Sequence, residues 1–520
     1  MARHARASMK VLQSSIFLMG TTALTALLSF LFWALVARLF DAARVGLATS
    51  LISAISLISY MSLCGLNSTL IRFAAPARAR NSQITWSFLA VCTAAFVLGS
   101  GYLLGLPLYG QRLLFIRDSP WLGATFVAFC ACAALNVLTD SVFIGARIPH
   151  YNLIADGFIQ GISKLIMPIF LVGLGAVGIV GAMGGGYVVA VVASVVLMAW
   201  RLGYRFDLRT RGTGLRKYAR FSVASYVSAL LNLLPTLILP LIVLQKLGAT
   251  DAGYYYIAFQ VAGMLTAVCT GVGEAMFAEA SHDLSKIGEV LKKSAKLMAV
   301  IALPAGAVVA LGSGLLLSFF GAAYSSNARS LLAALAVGTV GVVINTWASN
   351  ALRVHRRLRA MVMSNAVFLL VTVGVALAFA SRGLVWLGWA WDLGNLASGL
   401  AAAVCIPWPR RAARTAQDAA APPSAAPAPP SAAPEAPSAA PEAPAPAQPV
   451  PPEKQIPFPE DASTIPMIFP WNRPAWSSVA SAAQREAEAE AEADELRQRP
   501  RQSPDPARLP GPKGEQDLQW

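Results

Sequence analysis

Asp156, Gln160 and Lys164 stand four residues apart inside an apolar stretch, so a helix places all three on one face. Asp156 and Lys164 are then separated by roughly 12 Å of helix rise, too far to pair along the axis. An ionisable group near the centre of a bilayer costs roughly 2.5–3.5 kcal/mol on insertion scales and needs a partner or a hydrated cavity. Lys164 therefore meets carboxylates or carbonyls of a neighbouring helix, or it lends positive charge to a cleft that takes an anionic substrate. Gly157 and Gly161 flank the stripe and admit another helix at close range. Gly184-Gly185-Gly186 lies within the next apolar run with no strand before it, so it predicts close packing and not a phosphate loop.

Other polar groups fall in similar surroundings. Arg72 and Glu274 sit near equivalent ends of the second and eighth apolar runs, a cation and an anion that suit a gate, a substrate site or snorkelling at the interface. Asn232 follows Ser222, Ser225 and Ser228 in the seventh run, ahead of Pro235 and Pro240, whose missing N–H groups bend a helix and free carbonyls. Asp392, flanked by Trp386, Trp389 and Trp391, reads as an interfacial anchor. The four histidines are scattered. The six cysteines fall in or beside apolar runs without metal-site partners, so neither a metal nor a cofactor is expected. No Ser/His/Asp set or nucleotide loop appears, which argues against an enzyme.

The elements that position these groups are membrane helices. Hydrophobic residues make up 56% of the 520 and mean hydropathy is +0.57, more apolar surface than a soluble fold can hide. Twelve runs are long enough to cross a hydrocarbon core: 14–37, 46–68, 84–108, 120–143, 152–175, 177–200, 221–245, 253–277, 297–320, 330–351, 360–380 and 384–406. The first follows a basic start and is too long for a cleaved signal, which predicts a retained anchor. Alternate loops carry 25 Lys/Arg on one side against 7 on the other. That asymmetry places both termini in the cytoplasm and accounts for the +15 net charge without nucleic acid.

The chain is internally duplicated. Residues 38–46 between runs 1 and 2 resemble 246–253 between runs 7 and 8, and Asn136, Arg147 and Asp156 match Asn345, Arg356 and Asn365 at a constant offset. The expected fold is all-α: a polytopic membrane protein of about twelve transmembrane helices in two pseudo-symmetric six-helix bundles, 1–200 and 221–406, joined by a basic cytoplasmic linker at 201–220. Six runs per half make the repeat parallel about the membrane normal, with a central cleft. Residues 407–520 form a Pro/Ala-rich tail expected to be disordered and cytoplasmic.

Three segments then look familiar. Gly65-Leu66-Asn67-Ser68-Thr69-Leu70-Ile71-Arg72, the stretch Leu247-Gly248-Ala249-Thr250-Asp251-Ala252-Gly253-Tyr254-Tyr255, and Gly321-Ala322-Ala323-Tyr324 with Ala328 and Leu332 resemble bacterial polysaccharide flippases. These form the Wzx-type branch of the multidrug/oligosaccharidyl-lipid/polysaccharide exporter superfamily. The resemblance covers 10–406. It implies that a lipid-linked sugar precursor of the polyprenyl-pyrophosphate type is flipped across the inner membrane by alternating access. Arg72, Lys164, Gln160 and Asn232 then line the substrate cleft, and Asp156 or Glu274 couples movement to protons or sodium. The partners implied are the lipid-linked glycan, the bilayer and glycan polymerase or assembly proteins. A multidrug exporter is the alternative, although the first run lacks the acidic residue those exporters share; a peptidoglycan-precursor flippase is another. A scaffold recruiting glycan-assembly enzymes through the tail is the alternative of a different class.

Overall fold

A computed structural model describes residues 27–72, 77–146, 148–209, 215–282, 287–355 and 357–406. The expected anchor before residue 27, Arg147, Arg356 and the tail from 407 lie outside the described residues. All regular structure among the described residues is helical. The first half contains α1 (Leu27–Leu39), α2 (Ala42–Ser62), α3 (Leu66–Arg72), α4 (Ala77–Tyr109), α5 (Leu114–Asp118) and α6 (Pro120–Gly145). It continues with α7 (His150–Asn152), a π-helical stretch (Leu153–Gln160), α8 (Gly161–Phe170) and α9 (Ala176–Leu202). The second half contains α10 (Leu215–Lys246), α11 (Ala249–His282), α12 (Ile287–Leu311), α13 (Ser313–Ser318) and α14 (Ala322–Asn327). A tenth span is broken into α15 (Arg329–Val337) and α16 (Thr339–Val354), bent by 40°, and α17 (Leu358–Phe379) and α18 (Leu384–Val404) follow.

Nine of these helices are long and apolar enough to cross a bilayer, and the bent pair makes a tenth among the described residues. The ninth run differs most from expectation. Its helix begins at Ile287 and ends at Leu311, because Lys292, Lys293 and Lys296 join the helix instead of forming a loop.

Burial separates central from peripheral helices. The apolar window of α2 is 83% buried, whereas those of α4 and α12 are 22% buried and turn most of their surface outward. α2 contacts α4, α6 and α9 in its own half and α10 and α11 in the other. Its sequence permits this, because a serine recurs every third residue (Ser50, Ser53, Ser56, Ser59, Ser62) and small side chains let backbones approach. Ser50 donates to the carbonyl of Pro240 at 3.3 Å, and Ser59 donates to that of Cys130 at 2.9 Å. Asp41 caps α2 by accepting from the Arg44 amide at 2.8 Å.

The two duplicated steps meet each other. A Cβ on Gly46 of α2 would collide with the carbonyl of Ala249, and a Cβ on Gly253 of α11 would collide with that of Ala42. These four residues are related pairwise by one offset, so the crossing is reciprocal: each helix start rests on the other through a glycine. Gly248, with φ of 118°, turns the chain sharply into α11, a conformation that favours glycine. At the same charge-poor end Arg38 Nε donates to the carbonyl of Phe319 at 3.0 Å, and Phe30 meets Phe320 edge-on. The halves are therefore fastened together at this end. At the basic end the Tyr226 hydroxyl of α10 donates to the carbonyls of Tyr60 and Met61.

The start of the expected linker is strapped to α4. Trp86 Nε1 donates to the carbonyl of Leu208 at 3.2 Å, Thr85 Oγ1 shares a hydrogen bond with the Tyr204 hydroxyl at 3.0 Å and accepts from the Asp207 amide, and Arg80 bonds the carbonyl of Leu202.

Candidate functional site

The stripe predicted on the fifth span is present, in a winding that composition did not reveal. Leu153–Gln160 form a π-helix and Gly161–Phe170 an α-helix. Four residues overshoot one α turn and undershoot one π turn, so the two deviations cancel between Asp156 and Lys164. The three side chains thus stay on one face. Gly161 admits the first span, where a Cβ would stand 3.0 Å from Leu28 Cδ1.

Asn136 of α6 ties the stripe together. Its Nδ2 donates to Asp156 Oδ1 at 2.8 Å, and its Oδ1 accepts from Gln160 Nε2 at 3.0 Å. Lys164 is 7% exposed. Its stem lies over Gly186, where a Cβ would stand 2.6 Å from Lys164 Cγ, and its Nζ is 4.4 Å from the centre of the Tyr187 ring. Among the described residues no ion pair holds it. A cation over an aromatic face gains about 0.5–2 kcal/mol, which offsets part of its desolvation. The other two glycines of the run serve packing as expected: Gly184 lies on the Phe129 ring and Gly185 on the Met167 sulfur.

This cluster borders the seam between the halves. The Tyr187 hydroxyl hydrogen-bonds with Ser56 of α2 and lies within electrostatic range of Tyr256 of α11, whose ring sits 4.5 Å from that of Trp33 of α1. Lys164 is consequently not displayed in an open cleft. It is covered by Gly186 and Tyr187, close to the surface on which the halves touch.

Asn232, another predicted site residue, belongs to a separate group in the second half. It is exposed, and its Nδ2 donates to Asn365 Oδ1 at 3.3 Å, while Asn365 Nδ2 donates to the Ser228 carbonyl at 2.8 Å. The structure does not bring Asn232 to Lys164. The backbones of Arg72 and Glu274 end α3 and continue α11, but their side chains lie outside the described residues. Asp392 departs from its reading as an interfacial anchor. It lies near the middle of α18 and is 5% exposed, because α18 is pressed against the bent tenth span.

Several site residues escaped the sequence reading. Asn136 entered only as a repeat match, although a lone amide in an apolar run needs a partner. Tyr187 was legible only as the residue after the glycine run, and Ser56 as one of the serines recurring by threes. Replacing Asn136 with alanine removes its hydrogen bonds to both Asp156 and Gln160 and is expected to cost about 1–2 kcal/mol. A thermal melt of the purified protein several degrees lower than wild type would record it; an unchanged melt would show that the network adds nothing.

A family model described as polysaccharide biosynthesis protein matches residues 153–329, which takes in the Asp156–Lys164 stripe, Tyr187, Asn232 and Gly253. No curated protein matches the sequence. Among solved structures, a lipid II flippase, MurJ, in an inward closed conformation superimposes with a TM-score of 0.61 at 13% identity, over 75% of this chain and 87% of that one. A multidrug resistance MATE family transporter of the MOP superfamily in an inward-facing conformation gives 0.57 at 16% identity, over 78% of this chain and all of that one. At such identities the likeness concerns the fold. The chain is thus a polytopic membrane protein with the fold of these two transporters, and its residues 153–329 match the polysaccharide biosynthesis family model.

Proposed function

We propose that the protein flips a lipid-linked sugar precursor carrying a polyprenyl pyrophosphate from the cytoplasmic to the outer leaflet of the inner membrane. The observation that carries this reading is Lys164: a buried lysine that no ion pair holds among the described residues, beside the seam of the halves, within the segment that matches the polysaccharide biosynthesis family. A pyrophosphate cannot enter hydrocarbon unaided, and a fixed cation replaces part of its lost hydration. Gln160 and Asn136 add amide groups one turn away. The polyprenyl chain stays in the bilayer while the headgroup passes between the halves.

Alternating access follows from where the halves touch. The basic loops put the Gly46–Gly253 crossing on the outer side and both termini in the cytoplasm. The described arrangement is then closed outward, which agrees with the inward states named for the two similar structures. Opening the crossing moves α2 and α11, the helices that carry Ser56 and Tyr256 beside Tyr187, and so uncovers Lys164 toward the other side.

The test is deletion of the gene, followed by analysis of surface polysaccharide and of lipid-linked intermediates. Loss of surface glycan with intermediate accumulating on the inner leaflet supports flipping, and restoration by both the full chain and a chain ending at residue 410 supports a transporter over a scaffold that recruits enzymes through its tail. Unchanged glycan with altered sensitivity to cationic dyes would replace this reading with drug export.

A further inference from the structure

Asp392 has no role in the site described so far, and its surroundings are unusual for a carboxyl group. Among the described residues neither of its oxygens has a hydrogen-bond partner. The group lies on Gly338, the residue between α15 and α16 where the tenth span bends, and a Cβ on Gly338 would collide with both oxygens. The Gly338 amide is already committed to the Ala334 carbonyl at 3.0 Å, so the break offers the carboxyl no donor. One turn further, a Cβ on Gly341 would stand 3.0 Å from the Asp392 carbonyl, which keeps α18 tight against the bend.

The neighbouring polar groups are engaged with one another. Asn345 Nδ2 donates to Asn395 Oδ1 at 3.0 Å, Ser398 Oγ donates to Asn345 Oδ1 at 3.0 Å and to the Ser364 carbonyl at 2.9 Å, and Ser349 donates to Asn345 Oδ1. The titratable group facing Asp392 is Tyr255 of α11, fully buried, with its hydroxyl also unpartnered and within electrostatic range. On α10, α15, α16 and α17 the charged residues stand toward the helix ends in the sequence: Arg216, Lys217, Arg220, Lys246, Arg329, Arg353 and Arg359. Asp251 stands at the start of α11, Glu274, Glu279 and His282 come toward its other end, and Arg382 lies in the turn before α18. An ionised carboxylate without donors is strongly disfavoured in such an interior. A metal cation would require several oxygen ligands, and apart from the Tyr255 hydroxyl the amides and hydroxyls of Asn345, Asn395, Ser349 and Ser398 are engaged with one another. A proton requires only the carboxyl itself.

We propose that Asp392 is a proton-binding site of the second half, protonated while α18 lies on the Gly338 break and deprotonated when that break loosens and admits water. The proton passes from the Asp392 hydroxyl to water and returns when the helices close, so the bend of the tenth span and the protonation of Asp392 move together. As the proton site of a transporter this rests on the reading above, but its test needs no sugar substrate.

The experiment uses the purified full-length protein in lipid vesicles. Infrared difference spectra are expected to contain, at neutral pH, the carbonyl stretch of a protonated carboxylic acid, lost in alkaline buffer and missing from Asp392→Asn. Identical spectra of wild type and variant in that region would overturn the proposal. Hydrogen exchange over residues 336–342, corrected for the intrinsic effect of pH, should rise several-fold on alkalinisation in wild type and stay low in Asp392→Asn, which has the shape of the protonated form. The same pH response in both would overturn the coupling. Asp392→Asn should also melt no lower than wild type; a much lower melt would mean that Asp392 is ionised and paired, which overturns the proposal. A failed glycan assay with these spectra intact would remove the substrate reading and leave the proton site standing.

Discussion

Glycan export should collapse in a Gly46→Val variant, with Gly253→Val as its mirror. Each new side chain would enter the space of a main-chain carbonyl in the first turn of the opposing helix, Ala249 or Ala42, and such a carbonyl cannot swing aside as a flexible side chain does. Overpacking by a single methyl costs about 1–3 kcal/mol, and valine adds more. In a protein with two states of similar energy, a bias of about 1–3 kcal/mol shifts populations by roughly 5- to 150-fold. The variants should therefore hold the charge-poor end open. The measurement is maleimide labelling of a cysteine placed at Ala252, which is wholly buried at the crossing, in a background without the native cysteines. Labelling should rise about tenfold or more with Gly46→Val. Gly101→Ala and Gly271→Ala are the controls, because a Cβ at either meets nothing within 4 Å among the described residues. Equal labelling with and without Gly46→Val would rule out a closure made by this crossing.

The second large effect is expected at Lys164. Methionine keeps most of its volume over Gly186 and removes the charge. Truncating one partner of a buried charged contact costs about 2–5 kcal/mol of binding, so export should fall roughly 30-fold or more. Stability should move the other way: replacing a buried charge by an apolar side chain of similar volume is often neutral or stabilising, by about 1–4 kcal/mol. A variant that is inactive yet melts at or above the wild-type temperature separates a substrate-binding lysine from a structural one. Undiminished export by Lys164→Met would reject the assignment. Arginine is a poor substitute, because its rigid fork does not fit the space left by Gly186 and the Tyr187 ring.

These two sites differ in how legible they were. The Asp156-Gln160-Lys164 spacing was visible because a helix turns four residues into one face, and charge in an apolar run is conspicuous. Its partners were not, since Asn136 and Tyr187 come from helices that only packing brings near. The duplication announced that the turns at 38–46 and 246–253 were equivalent. It did not announce that Gly46 and Gly253 bear on each other, because a repeat relates positions in sequence and contains no distance across the axis. Asp392 was misread for a related reason: its tryptophan neighbours resemble an interfacial belt, whereas burial depends on what lies opposite, here Gly338 of the broken span.

Hydropathy, loop charge and helical spacing were enough to establish a polytopic all-α membrane protein with repeated halves, because each is a local property that the bilayer reads directly. The meeting of carbonyl with glycine at the crossing, the cover over Lys164 and the isolation of Asp392 were settled by helix packing. In lipid, apolar attraction between helices is nearly indifferent to register, so small residues and single polar contacts determine which faces touch, and those depend on residues far apart in the chain.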